Sequence, residues 1–182
     1  MNEIIKNKFA SVDIEVKRTD LSKIVISKER LFKLIAFLGK EYEYKILNAI
    51  TCCDWIEEEH FALTYIVSTL NRKHTIMIQT IIGRKNATID TLSLEFPQAN
   101  IMERDLHEMY GIDFVGHPNL RELSLENWIH TPPLRREFDT LEFVNENLTF
   151  REGRDDNVDT KAEAKRLRAI KKAQKKAQDA NT

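Results

Sequence analysis

Residues 103–122 read ERDLHEMYGIDFVGHPNLRE, a density of acids, imidazoles and turn residues found nowhere else in the chain. On a helix, Glu103 and His107 stand four residues apart on one face with Glu108 beside them, and a turn at Gly111 returns His117 toward the same place. Carboxylate and imidazole donors gathered in this way suit a divalent metal, which would make the stretch the site of a metal-dependent enzyme. The same spacing also describes an ordinary exposed helix pair, and the chain contains no HExxH element and no nucleophile elbow. Recognition is therefore the stronger expectation.

Other candidates for chemistry are weaker. Cys52 and Cys53 are adjacent, a spacing that fits neither a disulfide framework nor the CxxC ligation of zinc and iron–sulfur clusters, so the chain is expected to carry no cluster of its own. In a strand at least one of the two points into the core as a small hydrophobe. The five glycines are scattered singly, which excludes a phosphate-cradling loop of the dinucleotide or P-loop type. His60 and His74 flank a hairpin, where edge positions are expected. The arginines are more informative. Arg104, Arg121, Arg135 and Arg136 sit among Gly111, Gly116, Trp128, His130, Pro132 and Pro133, and planar guanidinium groups in such a setting suit an interface ordered by a partner.

These residues need elements to position them. A chain of 182 residues with 42% hydrophobic and 31% charged residues is long enough for one domain with a sizeable core. No run approaches the length of a membrane span or a signal sequence, so folding in the cytoplasm is expected. The alternation in DIEVKRTDLSKIVIS predicts two short strands, and Ser27 caps a helix over KERLFKLIAFLGKEY that ends near Gly39. YKILNAITCCDWI, HFALTYIVSTL and HTIMIQTII are rich in β-branched and aromatic residues and read as three antiparallel strands joined by the charged turns EEE and NRK. TIDTLSLEFP is expected as a short helix capped by Thr88 and stopped by Pro97, followed by a second helix over ANIMERDLHEMYG that ends at Gly111.

The result is an α+β fold with an antiparallel or mixed sheet of about four to five strands and helices packed on one face. Residues 1–110 form the body, residues 111–150 an extended docking arm, and residues 151–182 a charged tail, either a marginal helix or disordered. In residues 160–182 eight bases against two acids give +6, which leaves −7 on the remainder of a chain whose net charge is −1. That tail suits an acidic neighbour or an anionic membrane surface. Binding to nucleic acid is the rival use of its charge, but the tail lacks interleaved aromatics.

One family fits the whole pattern. Glu103-Arg104-Asp105, Tyr110-Gly111-Ile112, Phe114, Gly116-His117-Pro118 and Leu120-Arg121 resemble the signature of the C subunit of respiratory complex I, the NADH:quinone oxidoreductase. Upstream, ITCCDW, the hairpin FALTYIVSTL to TIMIQT and ATIDTLSLEFPQANIMERD follow the family's order, and downstream NWIHTPPLRREF is similar to its Trp and Pro-Leu-Arg element, here Trp128 and Pro133-Leu134-Arg135-Arg136. Asp105, Glu108 and Glu122 depart from the residues usual at those places. The resemblance implies a subunit without catalytic, cofactor or metal residues of its own, peripheral on the cytoplasmic face of the cell membrane. It would dock on the large subunit carrying the quinone site, beside iron–sulfur subunits, in a complex that holds FMN and iron–sulfur clusters. The same subunit type recurs in ferredoxin- or formate-linked membrane hydrogenases, where the large subunit carries a nickel–iron site. The signature residues from Glu103 to Arg136 would then be docking residues.

Overall fold

The computed structural model describes residues 2–9 and 12–148; the expected tail, residues 151–182, lies outside them. Residues through Phe138 form one compact unit and residues from Asp139 a second. The first begins with a helix α1 (Asn2–Lys8), which the sequence pattern did not predict, and the expected strands β1 (Asp13–Arg18) and β2 (Leu21–Val25). Helix α2 (Lys28–Tyr42) follows Ser27 and buries Leu31, Leu34, Ile35 and Leu38 at helical spacing. It spans the whole of the expected KERLFKLIAFLGKEY, three residues past Gly39. Glu43 closes it in the left-handed conformation at φ 61° with its N–H on the Leu38 carbonyl.

Strands β3 (Ile46–Trp55), β4 (His60–Ser68) and β5 (Thr75–Gly83) pair antiparallel as expected, and β2 joins β5 in parallel, giving the mixed order β1-β2-β5-β4-β3. Register decides where the core lies. Phe61, Leu63, Tyr65 and Val67 of β4 stand opposite Ile82, Thr80, Ile78 and Ile76 of β5, all buried, so one face of the sheet is continuous with the apolar stripe of α2. Each fully buried aliphatic or aromatic side chain there contributes about 1.5–3 kcal/mol. The opposite face is more open, with Trp55 48% and Ile81 52% exposed.

The predicted helix over residues 88–97 is a correction. Thr88–Asp90 is a strand, β6, and residues beyond it form a single turn in which the Phe96 N–H donates to the Leu92 carbonyl. Its partner is the physical reason. Strand β7 (Asp113–Val115), in the segment expected to be irregular, runs parallel to β6, and the Ala87 and Val115 carbonyls accept the N–H groups of Asp113 and Thr91. Pairing that buries Ile89 and Phe114 outweighs the local pattern. Between these strands lies α3 (Ala99–Tyr110), which ends at Gly111 as predicted. Residues 116–138 hold no further helix or strand. In the second unit, α4 (Thr140–Asn147) is capped by Asp139, whose carboxylate accepts from the Leu141 and Glu142 N–H groups.

Candidate functional site

Everything in the signature hangs from α3. Gly111 takes φ 70° and its N–H donates to the His107 carbonyl at 2.8 Å, the left-handed closure that glycine adopts without cost. A side chain there would also meet Pro132 Cγ at 3.2 Å and Arg135 Nη2 at 3.3 Å. Gly116, at φ 84°, sets the next turn after Phe114, which is itself 1% exposed.

Glu103 is fully buried, not the exposed partner of His107 that the spacing suggested. Its Oε1 accepts the Leu92 N–H at 2.7 Å and its Oε2 a hydrogen bond from the Thr91 hydroxyl. Burial pushes the carboxyl above the usual carboxylate range, against the Thr91 and Leu92 hydrogen bonds and the nearby His117, which favour the charged form. His117 is buried beside it, with Nε2 3.9 Å from Glu103 Oε2. The Asn119 N–H donates to His117 Nδ1 at 3.0 Å, and His117 Nε2 faces the Asn100 carbonyl 3.2 Å away. The pair staples the turn after β7 onto the start of α3 and the β6 turn.

Glu108 does something else. Its carboxylate receives the consecutive N–H groups of Leu123, Ser124 and Leu125, which overcome desolvation and hold it below the usual range. One turn earlier, Arg104 donates from Nε to the Arg121 carbonyl at 2.9 Å and from Nη2 to the Glu122 carbonyl at 2.5 Å. Helix α3 thus grips residues 121–125 by donors and acceptors of opposite sign. Glu122, one of the departures from the family's usual residues, contributes its carbonyl to this grip and its carboxylate to the Asn127 N–H. His107 directs Nδ1 to the Ile112 carbonyl at 2.8 Å. Of the four residues proposed as metal donors only Glu103 and His117 meet, and among the described residues no set of three or more His, Cys, Asp or Glu is arranged to hold a metal ion.

The Pro-Leu-Arg element returns to the body at a second clamp. Leu134 N–H donates to the Met109 carbonyl at 3.0 Å, Arg135 Nε to the Tyr110 carbonyl at 2.7 Å, and the Arg135 guanidinium lies over the Phe61 ring at 5.3 Å. Tyr110 meets Phe61 edge-on at 5.8 Å and donates from its hydroxyl to the Cys52 carbonyl. Below them Asp54 accepts both Nε and Nη2 of Arg84, at 2.6 and 3.0 Å, and the Arg136 N–H at 3.0 Å. Desolvation would raise the Asp54 carboxyl, but these hydrogen bonds and the charges of Arg84 and Arg135 hold it below its usual range. Arg84 also bonds Glu137, and Arg136 reaches Glu57 at 3.0 Å. Asp54, Arg84, Glu137 and Thr91 were missed by sequence reasoning. Only the opposite charges of Asp54 near the end of β3 and Arg84 just after β5, on either side of β4, could have indicated two of them. Cys52, half-buried against the core, has its thiol pushed up to about 12 by burial and then by Cys53 and Asp54, with Arg135 acting the other way.

What remains outside is a tethered surface. Leu120 packs on the core and Pro133 is half-buried, whereas Pro118 and Arg121 are exposed and Leu123, Ile129 and Leu134 are 38%, 88% and 52% exposed. Trp128 donates to the Thr131 carbonyl and meets His130 edge-on at 5.3 Å and Phe138 at a tilt at 5.7 Å, fixing the loop that carries Ile129. The backbone is held down by α3 while apolar side chains and Arg121 point away.

The family described as respiratory-chain NADH dehydrogenase, 30 kDa subunit, matches residues 24–144. Among relatives, the NADH-quinone oxidoreductase C subunit of Geotalea uraniireducens is 30% identical over 138 residues, 74% of this chain and 83% of that protein. The NADH-quinone oxidoreductase C/D subunit of Erwinia tasmaniensis is 27% identical over 172 residues, 81% of this chain but 29% of its own length. Among solved structures, a chain of an archaeal membrane-bound sulfane sulfur reductase, described as a respiratory membrane complex, superposes with a TM-score of 0.74 at 22% identity, covering 86% of this chain and 96% of its own. A trypsin-resistant fragment of Nqo5 gives 0.58 at 22% identity, over 65% of this chain and 96% of the fragment. These two likenesses establish the fold.

Proposed function

The chain belongs to the respiratory-chain NADH dehydrogenase 30 kDa subunit family, and on that premise we propose that it is the C subunit of a complex I-like membrane respiratory complex, acting as a docking and assembly subunit. The observation that carries the docking role is the tethered surface: a backbone fixed to α3 and β3 by Glu108, Arg104, Arg135 and Asp54, presenting Arg121, Ile129 and Leu134 outward. Aromatic, aliphatic and arginine side chains on a preorganised frame are what a stable interface needs. Its occupant in this proposal is the large subunit that carries the quinone site. The Erwinia C/D protein, of which this chain covers 29%, supports a neighbour of that kind.

On this proposal the chain supplies no catalytic, cofactor or metal residue, and FMN and iron–sulfur clusters belong to other subunits. The proposal places the chain as a peripheral subunit on the cytoplasmic face of the membrane; no helix among the described residues is long and apolar enough to cross one. A nickel–iron large subunit in place of the quinone-site subunit is the second reading, because the signature over residues 103–121 also resembles the same subunit type of membrane hydrogenases. The test is Arg121→Ala in the native host. Arg121 is exposed and its guanidinium lies outside the Arg104 grip, so unfolding of the isolated chain should change by less than about 0.5 kcal/mol. Loss of one partner of an interfacial charge pair costs roughly 2 to 5 kcal/mol and should lower the assembled fraction. Normal assembly of the variant would remove the docking role from this surface.

A further inference from the structure

A second concave feature shares no residue with the docking surface. Where the end of α1 meets the exposed side of α2, a groove of about 650 Å³ opens, a size in the range of ligand pockets. Its floor is Phe9, Ala36 and Phe37; Phe9 is 8% exposed, and the Phe37 ring is packed between Phe9 at 5.7 Å and Tyr42 at 5.8 Å. Its rim carries Lys8, Arg30, Lys33 and Lys40 against the single acid Glu41. The Lys8 ammonium is held 4.0 Å above the Phe37 ring centroid, so one cation is fixed directly over the apolar floor.

We propose that this groove binds an acidic peptide segment carrying one large apolar side chain, supplied by a neighbouring protein. Charge complementarity argues for it. Outside residues 160–182 the chain is net negative, −7, yet four cations and one acid collect around this one recess. Carboxylates would meet the cations of the rim while the apolar side chain covers Phe9 and Phe37, desolvating the ion pairs as it enters. A lipid surface fits less well. The apolar floor is recessed behind its cations, and a flat plane of headgroups could reach the rim but not Phe9. The groove can be occupied whether or not residues 103–136 dock on a large subunit.

The test uses the full chain and a fluorescein-labelled hexapeptide, Glu-Asp-Phe-Glu-Asp-Glu, followed by anisotropy at increasing salt. Saturable binding is expected, weakened by salt, weakened when the peptide Phe is replaced by Gly, and roughly tenfold or more weaker in the Lys33→Glu/Lys40→Glu chain. Both lysines are exposed, and an unchanged circular dichroism spectrum would confirm that the variant keeps its fold. Affinity unaltered in the double variant would assign binding to the basic tail and overturn the proposal. So would the absence of peptide binding, including the case in which phosphatidylglycerol–phosphatidylcholine vesicles bind through Lys33 and Lys40 and the peptide does not.

Discussion

Gly111→Ala separates two things that glycine does at the end of α3. The left-handed conformation costs an alanine about 1–2 kcal/mol, offset by about 0.4–1 kcal/mol from a less flexible unfolded chain. Gly116, at φ 84°, offers the internal control: its added Cβ would meet only Thr91 Cγ2 at 3.5 Å, an ordinary contact, so Gly116→Ala should cost about 0.5–1.5 kcal/mol. At Gly111 the Cβ meets Pro132 at 3.2 Å and Arg135 at 3.3 Å. The returning segment must give way, loosening the bond from Arg135 Nε to the Tyr110 carbonyl and that from the Leu134 N–H to the Met109 carbonyl. A charge-assisted hydrogen bond is worth about 1.5–3 kcal/mol, less here because Arg135 is partly exposed, so the total should reach about 2–4 kcal/mol. Urea unfolding of both variants gives the difference, and hydrogen exchange at the Leu134 amide reports the clamp directly. Equal costs for the two variants, or full protection of the Leu134 amide in Gly111→Ala, would refute the coupling between the glycine and the clamp.

Glu103→Leu should cost about 1–3 kcal/mol by leaving the Leu92 N–H without an acceptor, whereas Glu103→Gln keeps that acceptor and should stay within about 1 kcal/mol, both by urea titration. Because burial raises the Glu103 carboxyl, its contribution is complete below the ordinary carboxylate range and is lost as pH rises through its folded value; the wild type should therefore lose stability relative to Glu103→Gln as pH increases. Asp54 and Glu108 have the opposite sign: their contributions are present above the ordinary range and disappear as pH falls through their lowered folded values, so Asp54→Asn and Glu108→Gln should flatten the acid limb of the stability curve. Arg84→Met strands the Asp54 carboxylate, whose side chain is 2% exposed, and should cost about 2–4 kcal/mol in denaturant unfolding, moderated by the Arg136 N–H that remains.

The central sheet was legible because its strands are apolar, β-branched and long, and because charged turns bound them. So was the end of α3, since Gly111 marks it. The segment after Ala87 was not: Thr88–Asp90 becomes a strand only through its pairing with residues 113–115, a contact that no local window contains. Glu103 and Glu108 illustrate a second limit. Both are glutamates on one helix among polar neighbours, yet the first is sealed against the β6 turn and the second caps a loop fifteen residues away, roles fixed by which backbone donors arrive from elsewhere. Arg104 was expected to be satisfied by partner or body groups and holds the chain's own carbonyls, as Arg135 does, while Arg121 and Arg136 are the exposed arginines of the signature.

The docking role is tested most sharply by an affinity pull-down of the chain from gently solubilised membranes of its own host, with wild type and Arg121→Ala compared and co-purifying subunits identified by mass spectrometry. A docking subunit should bring down a large quinone-site subunit with flavin- and NADH-binding partners, and the variant should recover markedly less of them. A nickel–iron large subunit without those partners would transfer the chain to a hydrogenase-type complex, and recovery of the wild-type chain alone would contradict the docking role.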